Sequence, residues 1–298
     1  MGCCTFRNFR KKAASVSGGK NNTFSYCHIH DTGTGGLSIG GGDRKTLVPG
    51  NHRVENCHIY DFSIHQLTYS SGIHLHGVGN IAAHNLLEGA PHMAVGVSGN
   101  DHIFEYNLWK NIGSPRGHGN AAIYFDDGDG GDTVYGNIFF RCGDPGKGSF
   151  GTVFSHGGHD IIAENNIFID CKRALGSSPW NYKRWSSFLK SPLWQKRLLK
   201  DVDITSDVYL KHYPALKGFM EPQESDKRVN YAKSNVFVKC GEVYKKAWEV
   251  DDSNYITDKD PGFVDLEGEN FTLRKDSEIY KLMPDFEPIP VDEIGIQK

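Results

Sequence analysis

Short apolar segments recur along the chain, and each follows an Asn or Cys that holds the same place in the repeat. These positions are Cys4, Cys27, Cys57, Asn85, Asn107, Asn137, Asn166 and Asn235. Successive positions are 22 to 30 residues apart, except for a last interval of 69 residues. A period of this length, with short strands and glycine-containing turns, is the signature of a solenoid. We therefore predict an all-β chain in which each repeat forms one coil of a single-stranded parallel β-helix.

The repeated Asn and Cys side chains are expected to stack inside the coils. Stacked Asn side chains hydrogen-bond along such a ladder, and a buried Cys fills the same place as a small hydrophobe. A second Cys ladder follows five residues after the Asn ladder, at Cys142, Cys171 and Cys240. Seven cysteines cannot all pair within one chain, and there is no Cys-x-x-Cys pair to indicate a metal site. We assign the cysteines mainly to the core.

A second strand in each coil predicts a continuous outer face. We align Leu37, Ile73, Val95, Ile123 and Thr152 as the first residues of this strand. The first and third residues then point inward, and the others point outward. Outward positions on neighbouring coils lie about 4.8 Å apart, and they are His74, His76, Ser98, Tyr124 and Asp126. Stacking thus joins distant parts of the sequence into one polar strip, the best indication of a site.

The coil pattern stops near residue 179 and resumes at 230. Trp and Leu residues recur there at roughly helical spacing, which predicts a helical insertion over 179–229. This insertion either caps the flank of the solenoid or forms a wall of a cleft, with Trp180 or Trp185 stacking on a sugar. We predict one domain, with coils over 1–178 and 230–265 and a capping segment over 266–298 that covers the last coil.

Charge and hydropathy narrow the possible partners. The formal net charge is −3, which does not favour nucleic acid or an anionic membrane. No run of about 18 apolar residues predicts a membrane span. A long, open outer face suits an extended polysaccharide or oligosaccharide better than a small buried metabolite, and we expect the protein to be a monomer.

Candidate chemistry centres on the segment 121–131, where a strand runs into carboxylates set among glycines. Carboxylates this close repel one another, so one has a raised pKa or they share a cation. Two carboxylates of different pKa supply the acid and base of glycoside hydrolysis, which needs no cofactor. We assign catalysis to Asp126 and Asp127, although a polar Asp/Gly turn explains most such runs. The expected substrate contacts are Arg44, His74, His76, His92, His118, Tyr124, His156 and Trp180.

Elimination from a uronic acid is the second possible chemistry. It requires a Lys or Arg base and a cation that neutralises the substrate carboxylate. Asp129 and Asp132, together with the two preceding aspartates, could hold Ca²⁺ through their oxygen atoms. The candidate bases are Arg44, Arg116 and Lys147.

Several phrases carry a family resemblance: Gly40-Gly41-Gly42-Asp43-Arg44, Pro49-Gly50-Asn51-His52-Arg53, Ala90-Pro91-His92, Ser98-Gly99-Asn100-Asp101-His102, Ile123-Tyr124-Phe125-Asp126-Asp127-Gly128 and Asp260-Pro261-Gly262-Phe263. They resemble a group of bacterial right-handed β-helix proteins that includes the family 141 glycoside hydrolases, which share the pectate-lyase-like superfold and act on plant cell-wall glycans. The resemblance implies a right-handed parallel β-helix with Asp126 and Asp127 in its site. It also implies a secreted, periplasmic or cell-surface protein of a bacterium.

The chain departs from this family in two respects. It has no signal peptide and begins in mid-solenoid, which indicates an N-terminal truncation. It also lacks the Gly-Arg-Asp-Trp-like phrase that family members carry before the Asp-Asp-Gly strand. Three functions therefore stay open: a glycoside hydrolase, a Ca²⁺-dependent polysaccharide lyase, and a carbohydrate-binding β-helix without catalysis.

Overall fold

Short parallel strands dominate the structure, a computed structural model that describes residues 2–113, 121–126, 129–143, 149–178, 181–221, 229–244 and 247–297. In this part of the chain the strands form three long parallel sheets, named A, B and C here, and one small hairpin. The chain passes through the sheets in the order A, B, C and then returns to A. We call one such circuit a coil. This path fits the solenoid-like fold that the repeats predict.

The bounds of the strands follow from this path. Sheet A has eight strands: Thr23–Ser25, Arg53–Glu55, Ile81–Ala83, Ile103–Glu105, Thr133–Tyr135, Ile162–Glu164, Asn230–Lys233 and Trp248–Val250. Sheet B has nine: Thr5–Phe9, His28–Thr32, His58–Ile59, Leu86–Glu88, Leu108–Lys110, Ile138–Phe140, Ile167–Ile169, Val236–Val238 and Tyr255–Thr257. Sheet C has eight, of which Val48–Pro49 pairs antiparallel with Gly35–Asp43 and the others run parallel: Lys12–Ser17, Gly35–Asp43, Ser71–Val78, Met93–Asn100, Ala121–Asp126, Val153–His156 and Leu175–Ser177.

The core lies inside the coils, where equivalent residues of successive strands stack. In sheet B the register places Trp109, Phe139, Phe168 and Phe237 one above another. Their ring centroids are 6.1, 4.6 and 5.0 Å apart, with nearly parallel planes. All four side chains are fully buried. Burial of this apolar column stabilises the solenoid by removing aromatic surface from water.

The Asn ladder is confirmed. The Oδ1 atom of Asn137 accepts from the backbone N of Asn107 at 3.0 Å, and its Nδ2 donates to Oδ1 of Asn166 at 3.0 Å. The same bonds repeat through Asn235 and end at Asn254, which extends the predicted series by one member. Cys142 and Cys171 are buried free thiols, as expected for core residues.

A second interior ladder was not predicted from the sequence. It precedes the strands of sheet A and runs from Asn22 through His52, Asn80 and His102 to Asp132. His102 accepts from the backbone N of Asn80 at 3.1 Å, and its own backbone N donates to Asp132 at 2.7 Å. Because His, Asn and Asp alternate in this ladder, no single residue type marks it in the sequence. Burial lowers the pKa of His102 to about 3, so its imidazole is neutral.

One predicted register is wrong. Ile123 pairs with Val153, not with Thr152, and Asp126 therefore lies opposite His156. A shift of one residue exchanges the two faces of a strand. Ser155 thus points into the interior, while Phe154 packs beside Tyr124 with ring centroids 5.2 Å apart. The backbone explains the shift, because the carbonyl of Thr152 accepts from both Ala122 and Ile123 and so forms a bulge.

Helices occupy the interval between two strands, Leu175–Ser177 and Asn230–Lys233. They are α1 (Tyr182–Lys190), α2 (Pro192–Gln195), a π-helix (Lys196–Val202), α3 (Asp207–His212) and a 3₁₀ turn (Pro214–Leu216). Trp185, Trp194, Leu198 and Tyr209 belong to a separate apolar cluster of this segment. We call residues 181–221 the helical segment. In the described part of the chain, no helix is long and apolar enough to cross a membrane.

The C-terminal segment lies along the outer face of sheet B. It contains the hairpin Phe263–Asp265 with Asn270–Leu273, helix α4 (Ile279–Leu282) and a 3₁₀ turn (Val291–Glu293). Its apolar side chains pack on the outward residues of three coils, among them Phe140, Ile169 and Val238. The segment reaches back as far as Asn56, whose Nδ2 donates to the carbonyl of Gly295 at 3.1 Å. Its contacts thus extend well beyond the last coil.

Candidate functional site

An open groove follows the outer face of sheet C. Its main cavity has a volume of about 540 Å³, within the usual range for ligand sites. The floor consists of residues from three neighbouring strands, including His74, Gly96 and Tyr124. Arg197, Leu198 and Asp201 of the π-helix form one wall. The helical segment therefore has both of the roles that the sequence left open, a structural cover and a wall of the cleft.

Two tyrosine hydroxyl groups fix this wall to the coils. Tyr209 donates to the carbonyl of Arg44 at 2.7 Å, and Tyr213 donates to Oδ1 of Asp101 at 2.6 Å. Both rings are almost completely buried. Arg44, one of the predicted contact residues, lines the groove, and its Nε donates to Oδ1 of Asn100 at 3.1 Å. The docking of the helical segment thus also positions the Arg44 side chain.

The two predicted histidines of the third coil lie side by side on the outer face. The ring centroids of His74 and His76 are 5.6 Å apart. Burial, with His76 and Lys12 nearby, lowers the pKa of His74 to about 4, and burial and Lys12 lower that of His76. Both imidazoles are therefore neutral near pH 7. Gly40 of the preceding coil leaves the space for His76, because a Cβ atom there would overlap the imidazole ring.

Tyr124 and His156 are close neighbours at the far end of the strip. Their rings are stacked with centroids 6.3 Å apart, and Nδ1 of His156 lies 2.5 Å from the hydroxyl oxygen of Ser178. Nη2 of Arg184, on α1, lies 3.4 Å from Nε2 of His156. The corrected register places position 126 opposite His156, so the candidate catalytic strand ends beside this group.

His92 lies below the surface of the groove rather than open to it. Its side chain is 1% exposed, and its ring centroid is 5.0 Å from that of Tyr69. Burial lowers its pKa, so the imidazole is neutral. Among the described residues its Nδ1 atom has no hydrogen-bond partner. His92 therefore supports Tyr69 from beneath.

The two predicted calcium ligands occupy different environments. Asp129 lines the groove, and its Oδ1 accepts from the backbone N of Gly99 at 2.5 Å. Asp132 is fully buried in the second ladder, where burial and the nearby Asp101 raise its pKa well above the usual range. Among the described residues, no group of three or more His, Cys, Asp or Glu side chains is arranged to hold a metal ion. These residues by themselves do not fit a Ca²⁺ site, and we derive no step through one.

Several predicted residues lie outside the described part of the chain. They are Arg116, His118, Asp127, Lys147 and Trp180; for Asp126 the strand is described but not the side chain. Trp185, the alternative stacking residue, is buried in the cluster of the helical segment against Phe219. It is therefore not available to a sugar.

Sequence reasoning missed Tyr69 and the charged residues of the wall. Tyr69 is 66% exposed and lines the groove, although it lies in a loop without strand periodicity. Arg197 and Asp201 reach the groove only through the docking of the helical segment. The sequence feature that could have identified Tyr69 is an aromatic side chain in a polar loop. No comparable feature marks Arg197 or Asp201.

Comparison with known proteins finds only remote structural similarity. One structure, named "Glycoside hydrolase", is 14% identical over 56% of this chain and 36% of that chain, with a TM-score of 0.42. Another, "The complex structure of XylC with xylose", is 13% identical over 82% of this chain and 39% of that chain, also with a TM-score of 0.42. The chain thus spans less than half of each structure. No protein-family model matches it, and no curated protein does. At this level neither structure bears on its function.

Proposed function

We propose that the protein is a right-handed parallel β-helix that binds a polysaccharide or oligosaccharide along sheet C and hydrolyses its glycosidic bonds. The groove is the observation that carries this proposal. In the part of the chain that the structure describes it is open along its length, so a polymer can enter from the side. The neutral imidazole of His74, the exposed ring of Tyr69 and two arginines line it, and these groups suit the hydroxyl groups and apolar faces of sugars.

The electrostatics of the floor support a neutral, hydroxyl-rich ligand. A neutral imidazole both donates and accepts hydrogen bonds, as a sugar hydroxyl does. The lowered pKa of His74 keeps this property down to about pH 4. The groove can therefore bind a sugar without a change of protonation in the floor.

Hydrolysis needs one carboxylic acid to protonate the leaving oxygen and one carboxylate to act as nucleophile or base. We assign these roles to Asp126 and Asp127, at the end of the strand that borders the groove. A retaining enzyme requires the two carboxyl groups about 5 Å apart, and an inverting enzyme requires roughly 6.5–9.5 Å. Asp129 and Asp201 line the same groove and are alternative partners for either residue.

Binding without catalysis is the second candidate. One observation favours it: the described carboxylates of the groove already have partners. Asp129 accepts from Gly99, and Asp201 forms an ion pair with Nζ of Lys196 at 2.7 Å. On this reading the groove holds a glycan and leaves its bonds intact.

The deciding experiment measures reducing-end release from a panel of plant and bacterial glycans. Wild type is compared with Asp126→Asn and Asp127→Asn, and with Asp252→Asn, an exposed aspartate in a turn of a distant coil, as a matched control. We expect each site variant to lose roughly 10²–10⁴-fold in kcat/KM, while the control keeps its activity. Binding of the same glycans and ultraviolet absorbance of unsaturated products are recorded in parallel.

Each outcome selects one function. Release that both aspartate variants preserve would refute the assignment to this strand. Unsaturated products that vanish with a calcium chelator would establish the lyase instead. Binding without any product would establish the non-catalytic function, and absence of binding to every glycan would refute the proposal as a whole.

A further inference from the structure

Tyr69 stands at the boundary between two cavities of the same outer face. The main cavity, of about 540 Å³, and a second cavity, of about 220 Å³, share Tyr69, Ser71 and His74 as lining residues. Beyond this shared boundary the second cavity continues over the first two coils, past Gly35 and Lys12. The two cavities are therefore successive parts of one groove.

The length of this groove exceeds a single sugar ring. Its lining residues come from five successive strands of sheet C, from Lys12–Ser17 to Ala121–Asp126. Four steps between neighbouring parallel strands, each about 4.8 Å, give a length of about 19 Å. A monosaccharide would leave most of this surface in contact with water.

The Tyr69 ring is exposed to solvent and packs on a buried imidazole. The residue is 66% exposed, while the imidazole of His92 beneath it is 1% exposed. Tyr69 also has a φ of 52°, a left-handed conformation that a bulky side chain rarely adopts. The same conformation occurs at other turns between strands, such as Tyr26 and Tyr106, so it belongs to the turn and does not mark a ligand site. The buried ring of His92 is what supports the exposed Tyr69 ring at the edge of the groove.

The two sides of Tyr69 offer different polar groups. Arg44 and Arg197 line the larger cavity, whereas Lys12 and Gln66 line the smaller one. An aromatic ring covers the apolar C–H face of a sugar, and surrounding polar groups bind its hydroxyl edge. A ring at the boundary can contact the sugars on both sides.

We infer that Tyr69 is a sugar-stacking residue between two subsites, and that the groove binds a glycan of at least two consecutive sugar residues across it. This inference rests on the proposed carbohydrate function and adds the position and minimum length of the bound chain. It also predicts a role for the smaller cavity, to which the catalytic proposal assigns none.

The test measures binding of cello-, xylo- and manno-oligosaccharides, from monosaccharide to tetrasaccharide, by calorimetry. Wild type is compared with Tyr69→Ala and with Tyr69→Phe, which keeps the ring. Tyr244→Ala removes a tyrosine of similar exposure, 51%, that lines neither cavity, and serves as the matched control. Circular dichroism verifies that each variant is folded.

For the series that wild type binds, we expect affinity to rise from the monosaccharide to the longer chains. Tyr69→Ala should weaken binding of the longer chains roughly tenfold, while Tyr69→Phe and the control bind as wild type does. Equal affinity of Tyr69→Ala and wild type for every length would overturn the inference and leave the proposed function intact. So would the absence of any length dependence. If wild type binds none of the three series and none of the glycans of the activity panel, both this inference and the proposed function are overturned.

Discussion

The outer faces of sheets B and C belong to the same coils but differ in what lies on them. On three later coils of sheet B the outward positions are apolar, as at Phe140 and Ile169, and the C-terminal segment covers them. On sheet C they are His74, Gly96 and Tyr124, and the face stays open as a groove. The inward residues of the two sheets share one core. The coil geometry thus leaves the outer face free to vary, and its side chains decide whether it is covered or binds a ligand.

Removal of a large side chain from the covered face should have the largest effect. Phe140 is 1% exposed, and its ring centroid lies 4.8 Å from that of Phe271. Phe140→Ala creates a cavity beneath the C-terminal segment and should lower the free energy of unfolding by about 4 kcal/mol, measured by urea denaturation. Val264→Ala, at a half-exposed position of the same hairpin as Phe271, is the control. A loss below about 1 kcal/mol for Phe140→Ala would show that the segment does not depend on this packing.

The interior that both faces share can be tested at the Asn ladder. Asn137 is fully buried, and it satisfies the backbone N of Asn107 and the carbonyl of Phe104. Asn137→Ala leaves these groups without partners and should cost about 3 kcal/mol of unfolding free energy. Asn270→Ala, at an exposed position of the hairpin, should change it by less than about 0.5 kcal/mol. Similar values for the two variants would contradict the structural role of the ladder.

The open face should make stability depend on pH through His74. Its pKa is about 4 in the folded protein, against an ordinary value of 6.5, so the unfolded chain binds more protons between these values. The contribution of His74 to the free energy of unfolding is fully present above about pH 7 and is lost as the pH falls toward 4. Asp132, whose pKa burial raises, contributes in the opposite direction.

The His74 contribution is isolated by comparison with a residue that does not titrate. When the pH is lowered from 7 to 5, the unfolding free energy of wild type should fall further than that of His74→Gln, by roughly 1–2 kcal/mol. The measurement is urea denaturation at both pH values. His65→Gln, at an exposed position of the loop 61–70, is the control. Parallel pH profiles for His74→Gln and wild type would contradict the buried, neutral imidazole.

The smallest effect on stability is expected at Tyr69. Because its side chain is 66% exposed, Tyr69→Ala should change the free energy of unfolding by less than about 0.5 kcal/mol. A residue that matters for binding and not for folding would sharpen the contrast with Phe140. A loss above about 2 kcal/mol in thermal or urea unfolding would instead assign Tyr69 to the packing of the loop.

The sequence by itself determined the repeat, the Asn ladder and the polar character of the outer face of sheet C. These features are local or periodic: one side chain at a fixed place in each coil and an alternation of two residues along a strand. His74, His76 and Tyr124 could be placed on one strip for this reason. The same rule failed at Thr152, because a bulge adds one residue that no periodic pattern records.

Only the tertiary structure decided what covers each face and what completes the groove. Arg197 and Asp201 reach the site because Tyr209 and Tyr213 anchor the helical segment to residues more than a hundred positions away. The burial of His92 beneath Tyr69 likewise depends on a loop whose path has no period. Such contacts arise from the packing of separate segments, whose free energy depends on shape complementarity in three dimensions and leaves no regular trace in the order of residues.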